Sequence, residues 1–158
     1  MRNKQKGFSL IELLIVVAII LIIAAIAIPN LIRSKIAANQ ASAVASLRTL
    51  NTSSMLYLTN YQVYPTTIAQ LGPSAAPSAA AADMIDAVLA AATTVASGGK
   101  SGYYFTFAGG AATGAYTINA DPVKVGTTGT VHYFTDQTLV IKYDPAAAAT
   151  AASLPIGQ

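Results

Sequence analysis

The chain has 158 residues and no cysteine, with 54% apolar and 9% charged residues. That length holds one anchor and one small domain, and the missing cysteine excludes disulfides and thiolate metal sites. A net charge of +3 does not mark a nucleic-acid binder: Arg2, Lys4 and Lys6 all precede the apolar run, the six remaining cations balance six acids, and no basic stripe follows a phosphate backbone.

From the N-terminus, Phe8 to Ile28 is a stretch of 21 residues, within which Leu13 to Ile28 is an unbroken apolar run of 16. As a helix the stretch spans about 31 Å at ~1.5 Å per residue, which matches a hydrocarbon core of about 30 Å. The cations ahead of it favour a cytoplasmic N-terminus. A secretory signal peptide, with Ala25-Ile26-Ala27 as its cleavage site, would have a shorter apolar core of about 7–15 residues. A plain single-pass anchor explains the length but not Glu12, a carboxylate that is costly in lipid.

Lys6-Gly7-Phe8-Ser9-Leu10-Ile11-Glu12, following a short basic leader, resembles the type III signal of type IV pilins and the related pseudopilins. The likeness runs from Lys6 to about Asn30. It implies that a prepilin peptidase removes residues 1–7 by cutting between Gly7 and Phe8, that Phe8 is then N-methylated, and that Glu12 serves assembly. The physical case for Glu12 is independent of the family. An ammonium on Phe8 and the Glu12 carboxylate are each costly alone in apolar surroundings, and their pairing, within one helix or across two, selects a register.

Pro29 lacks an N–H and removes the bond to the Ala25 carbonyl. It predicts a kink where residues 8–29, the transmembrane and polymerisation helix, give way to an amphipathic helix over residues 30–64. The resemblance adds partial melting at this proline in the assembled filament. In the second helix Ile36, Ala43, Leu47, Leu50 and Leu58 share one face. Tyr57, Tyr61 and Tyr64 read as core or interface residues rather than an electron path, and Tyr64-Pro65 ends the helix.

Residues 65–145 are expected to form a globular head. An alanine-rich segment predicts a short helix over 78–96, with Asp83 and Asp86 near its start. Strands are expected at about 103–107, 116–120, 131–135 and 139–143, joined by glycine-rich turns. The alanine-rich tail, 146–158, is expected to be loosely held. His132 reads as a structural strand residue. Asp121, Asp136 and Asp144 lack the spacing of a calcium loop and suit Asx-turns.

The fold class is therefore α+β: a long N-terminal transmembrane and spine helix packed against a small antiparallel sheet. The resemblance implies a structural subunit that polymerises through its N-terminal helix into a type IV pilus, with adhesion, twitching motility and DNA uptake as roles of such filaments. The alternative is a major pseudopilin of type II secretion, and a membrane-anchored binding module that never polymerises is less favoured. No enzyme, cofactor or metal is expected. The implied partners are further copies of the chain, the prepilin peptidase, an inner-membrane assembly platform and a cytoplasmic ATPase. The implied location is the inner membrane as precursor, then an extracellular bacterial pilus.

Overall fold

The computed structural model describes residues 8–110 and 114–157. It divides into two compact units, residues 1–35 and 36–158. One helix, α1 (Leu10–Tyr61), begins in the first unit and continues in the second. Within the first unit its side chains from Leu10 to Ile32 are exposed almost throughout. It is long and apolar enough to cross a membrane.

Pro29 lies inside α1, and the helix continues through it. Local side chains engage the backbone around it. Asn30 Nδ2 donates to the Ile26 carbonyl at 3.2 Å, and Ser34 Oγ donates to the Asn30 carbonyl at 2.9 Å. The helix ends at Tyr61, three residues before the expected limit. Gln62 there takes a left-handed φ of 60° while its N–H donates to the Leu58 carbonyl at 2.8 Å, a left-handed cap on a residue other than glycine.

In the second unit, α1 buries Ala43, Ser46, Leu47, Leu50, Asn51, Ser54 and Tyr57. Their three- and four-residue spacing is that of one helix face. Ala43, Leu47 and Leu50 belong to the expected stripe, whereas Ile36 and Leu58 are half-buried at its margins. Facing them is a five-stranded antiparallel meander in the order β1-β2-β3-β4-β5: β1 (Tyr103–Gly110), β2 (Ala115–Pro122), β3 (His132–Asp136), β4 (Lys142–Asp144) and β5 (Leu154–Pro155). Tyr103, Phe105, Tyr116, Ile118, Ala120 and Tyr133 line the inner face. The architecture is α+β, as the sequence implies.

Three expectations need correction. The helix over 78–96 shrinks to five residues, α2 (Ala87–Ala91). The cause lies in the backbone. The N–H groups of Ala82, Asp83, Met84 and Ile85 donate to the carbonyls of Gln70, Gly72 and Leu71 at 2.8–3.1 Å, so they are not free for a helical ladder, and Asp83 sits at φ 54°. The helix starts only at Asp86, whose carboxylate accepts from the Leu89 N–H at 2.9 Å. An N-cap of this kind fixes a helix start more firmly than alanine propensity does. Next, the fourth strand is Lys142–Asp144, because Leu139 takes φ 65° in the turn after β3. Finally, the tail is not loose. β5 pairs with β4, Asn119 Nδ2 donates to the Ala149 carbonyl at 2.8 Å, and Lys142 Nζ donates to the Ala151 carbonyl. Ala149 is 1% exposed.

One close approach restricts a loop position. A Cβ at Gly129 would lie 2.1 Å from the Tyr103 hydroxyl and 2.5 Å from its ring. That ring is fully buried, and its hydroxyl donates to the Val131 carbonyl at 2.8 Å. Gly129→Ala is expected to destabilise the second unit by about 1–3 kcal/mol, the usual cost of overpacking. Urea unfolding of the two chains in the same detergent measures it.

Candidate functional site

Of the residues singled out by the sequence, Phe8 and Glu12 lie at the start of α1 and Pro29 lies further along it. Gly7 lies outside the described residues. Phe8 is exposed. Ser9 is the residue before the helix, and its N–H donates to Glu12 Oε2 at 2.8 Å. The Glu12 and Leu13 N–H groups both donate to the Ser9 carbonyl, at 3.1 and 3.2 Å. Ser9-x-x-Glu12 is thus one half of a capping box, with a glutamate in the third helical position reaching back to the N-cap amide.

Glu12 therefore has a local role beside the expected one: its carboxylate accepts from the Ser9 backbone N–H. The cap holds the carboxylate one residue from the Phe8 nitrogen, at the helix end where the peptide dipoles favour negative charge. Ser9 is the residue the sequence reading missed, although the S-x-x-E spacing was there to signal it. Below this end, Leu10, Leu13, Leu14, Val17, Ala18 and Leu21 line a shallow, nearly wholly apolar groove on one face of the helix.

The polar groups of the second unit are spent locally. His132 Nδ1 lies 2.5 Å from Asp121 Oδ1, with both side chains largely buried. Asp136 accepts from the Thr138 N–H and hydroxyl. Asp144 accepts from the N–H groups of Ala146 and Ala147 at 2.8 and 3.1 Å, which hold its carboxyl below the usual range. Asp136 and Asp144 hold the expected Asx-turns and His132 the expected strand position, but Asp121 does not cap a turn: it lies in β2, where its carboxylate faces His132 across to β3. Tyr57 packs on Tyr61 with ring centroids 4.6 Å apart, but Tyr64 leaves the helix and packs on Tyr116 at 5.0 Å. Tyr57 is a core residue, and Tyr61 and Tyr64 are half-buried against the core. Burial pushes the Tyr103 hydroxyl up to about 12 and raises that of Tyr116 as well.

Asp86 is the one acid in an ion pair with a lysine among the described residues: Lys100 Nζ lies 2.9 Å from it. The Lys100 hydrogen bond, and then the Leu89 N–H, hold its carboxyl below the usual range. A carboxyl depressed by folding contributes stability above its unfolded pKa and loses it as pH falls through the folded value. The Asp86 contribution is therefore present at neutral pH and fades below about pH 4. Asp86→Asn keeps an N-cap oxygen, so it isolates the charge. Its melting temperature is expected to lie below that of the native chain at pH 7 and to converge with it near pH 2. The difference is small, because the side chains are 29% and 52% exposed and water screens the pair.

The chain matches a family model described as the prokaryotic N-terminal methylation motif, over residues 2–28. It is 41% identical over 65 residues to a protein named type II secretion system core protein G from Vibrio cholerae, covering 41% of this chain and 44% of that one. It is 44% identical over 61 residues to the type IV major pilin protein PilA of Myxococcus xanthus, covering 39% and 28%. With the type IV wide pilus major component PilA4 of Thermus thermophilus it shares 57% identity over 47 residues, covering 30% and 35%. The chain spans about half the length, or less, of these curated relatives.

Proposed function

Because the chain carries the N-terminal signal of the pilin and pseudopilin superfamily, we propose that it is the structural, non-catalytic subunit of a type IV pilus. It is made as a membrane-anchored precursor. A prepilin peptidase cuts between Gly7 and Phe8, and Phe8 is N-methylated. The trimmed chain polymerises through the first part of α1, drawn from the membrane by a platform protein and a cytoplasmic ATPase, and ends in an extracellular filament.

The observation that carries this reading is the helix itself. From Leu10 to Ile32 its apolar side chains are exposed, and one carboxylate stands at its start. In a membrane, lipid covers that surface. Outside it, the same surface must be covered by other helices. Lipid and a neighbouring helix are equally apolar, so packing and polar contacts decide which cover wins. The Phe8 ammonium and the Glu12 carboxylate supply such a polar contact, and a neighbour at the wrong height leaves a charge unpaired. Pro29, with one helix bond removed, is the place where the helix yields.

The matches to type II secretion core protein G support a second reading, a major pseudopilin whose short filament works in the periplasm. Electron microscopy of sheared surface material, with immunodetection of the chain in the sheared and periplasmic fractions, separates the two. Long fibres built of this chain support the pilus. A periplasmic pool with no surface fibre supports the pseudopilus and overturns the pilus.

A further inference from the structure

Glu12 and Arg33 bracket 20 residues, Leu13 to Ile32, that carry no charge. At ~1.5 Å per residue this uncharged window is about 30 Å long, the thickness of the hydrocarbon core. When Glu12 lies at one boundary, Arg33 and Lys35 lie at the other. Both side chains are exposed. Among the described residues, neither takes part in a hydrogen bond or ion pair within the chain.

Their spacing restricts the partner. Two residues apart on a helix of 3.6 residues per turn, they point about 200° apart, to opposite sides. A single protein surface would meet one of them. A layer that surrounds the helix meets both. Long cationic side chains at such a level lay their stems along apolar surface and keep their charge among the headgroups. Leu31 and Ile32, directly before Arg33, and Ile36, directly after Lys35, give the helix an apolar incentive to sink further, which the two charges oppose.

We propose that Arg33 and Lys35 form a collar that binds the phosphates of anionic phospholipid headgroups in the leaflet opposite the leader, and so sets the depth of the unassembled subunit. The proposal rests on the reading that the helix spans a membrane. It extends that reading by placing Glu12 at the other headgroup boundary, so that the carboxylate meets no hydrocarbon until the subunit moves.

The absence of native cysteine makes single-site labelling clean. The full chain, carrying Ser34→Cys with a fluorophore, is placed in vesicles of phosphatidylglycerol and phosphatidylcholine. Quenching by nitroxides at the headgroup and along the acyl chain then reports depth. The native collar is expected to hold the label at headgroup depth. Arg33→Gln with Lys35→Gln is expected to move it inward by about 3–5 Å, two or three residues of helix rise. The swapped pair Arg33→Lys with Lys35→Arg is expected to keep the native depth. An unchanged depth in the glutamine variant, or equal sinking in the swapped variant, overturns the collar. A second label at Ile22→Cys tests the underlying reading separately. A label there that is not at the bilayer centre overturns both the span and the collar, whereas a central Ile22 label with no shift at Ser34 overturns the collar alone.

Discussion

Replacing Glu12 with glutamine is expected to leave expression, membrane insertion and the helix start intact while reducing filament yield at least tenfold. The comparison with Glu12→Ala makes the argument specific. Glutamine also serves in the third position of a capping box, so Glu12→Gln keeps an acceptor for the Ser9 N–H, seen at 2.8 Å, and removes only the charge. Alanine removes both. At about 4 Å and an effective dielectric near 20, the carboxylate attracts an ammonium by about 4 kcal/mol before desolvation is charged against it. Desolvation takes back much of that. A remainder of ~1.4 kcal/mol per subunit contact is already a factor of ten in each addition step. Assembly is thus expected to fail in both variants, while loss of helicity at Ser9–Leu13 is expected in Glu12→Ala alone. Sheared-fibre yield by immunoblot gives the first measurement, and amide exchange of the precursor in detergent gives the second. Normal fibre yield from Glu12→Gln would remove the charge pair from the account.

Asn51→Ala is expected to give the largest loss of stability in the second unit. Asn51 lies on the buried face of α1, 5% exposed. Its Nδ2 donates to the Thr135 hydroxyl at 2.8 Å and its Oδ1 accepts from the Tyr116 hydroxyl at 3.0 Å. Thr135 belongs to β3 and Tyr116 to β2, so one amide ties the helix to two strands. Thr135 is fully buried and Tyr116 nearly so. Removing the amide leaves both hydroxyls without their partner, at about 1–3 kcal/mol each, and opens a void. The expected loss is about 3–5 kcal/mol, a large share of the ~5–15 kcal/mol that holds a typical domain. Tyr116→Phe removes one donor along with its need for an acceptor and is expected to cost about 1–2 kcal/mol. The double variant is expected to cost less than the sum, because both changes break one network. Urea unfolding of the four chains closes the cycle. Additive losses would show that the amide does not couple the helix to β2.

The alternating strand pattern made the meander legible in the sequence, and Ala43, Leu47 and Leu50 showed which face of α1 it covers. The face itself was only half readable. Ser46, Asn51, Ser53 and Ser54 are buried beside the apolar residues, and small polar side chains carry no hydrophobic period. The short α2 was hidden for a different reason. Alanine favours a helix wherever the backbone is free, but the N–H groups of residues 82–85 are committed to carbonyls of residues 70–72. Those bonds join segments whose pairing no local pattern announces. The tail misled similarly. Its order comes from acceptors on its backbone, which Asn119 and Lys142 reach from the sheet. At the N-terminus, Glu12 stood out as a lone acid in an apolar stretch. Its capping role was readable in Ser9-x-x-Glu12, whose spacing brings the carboxylate back to the Ser9 N–H.

The charge pair proposed for Glu12 depends on a chain that begins at Phe8. The decisive measurement is therefore the mass of the N-terminal peptide of this subunit taken from sheared surface fibres. A peptide starting at Phe8 and heavier by one methyl group on its amine is the result expected here. It would place a methylated ammonium one residue from the amide that Glu12 accepts. A peptide starting at Met1, or at Ile28 as a signal-peptidase cut after Ala27 would leave it, would contradict the account, because neither chain brings an N-terminal charge to Glu12.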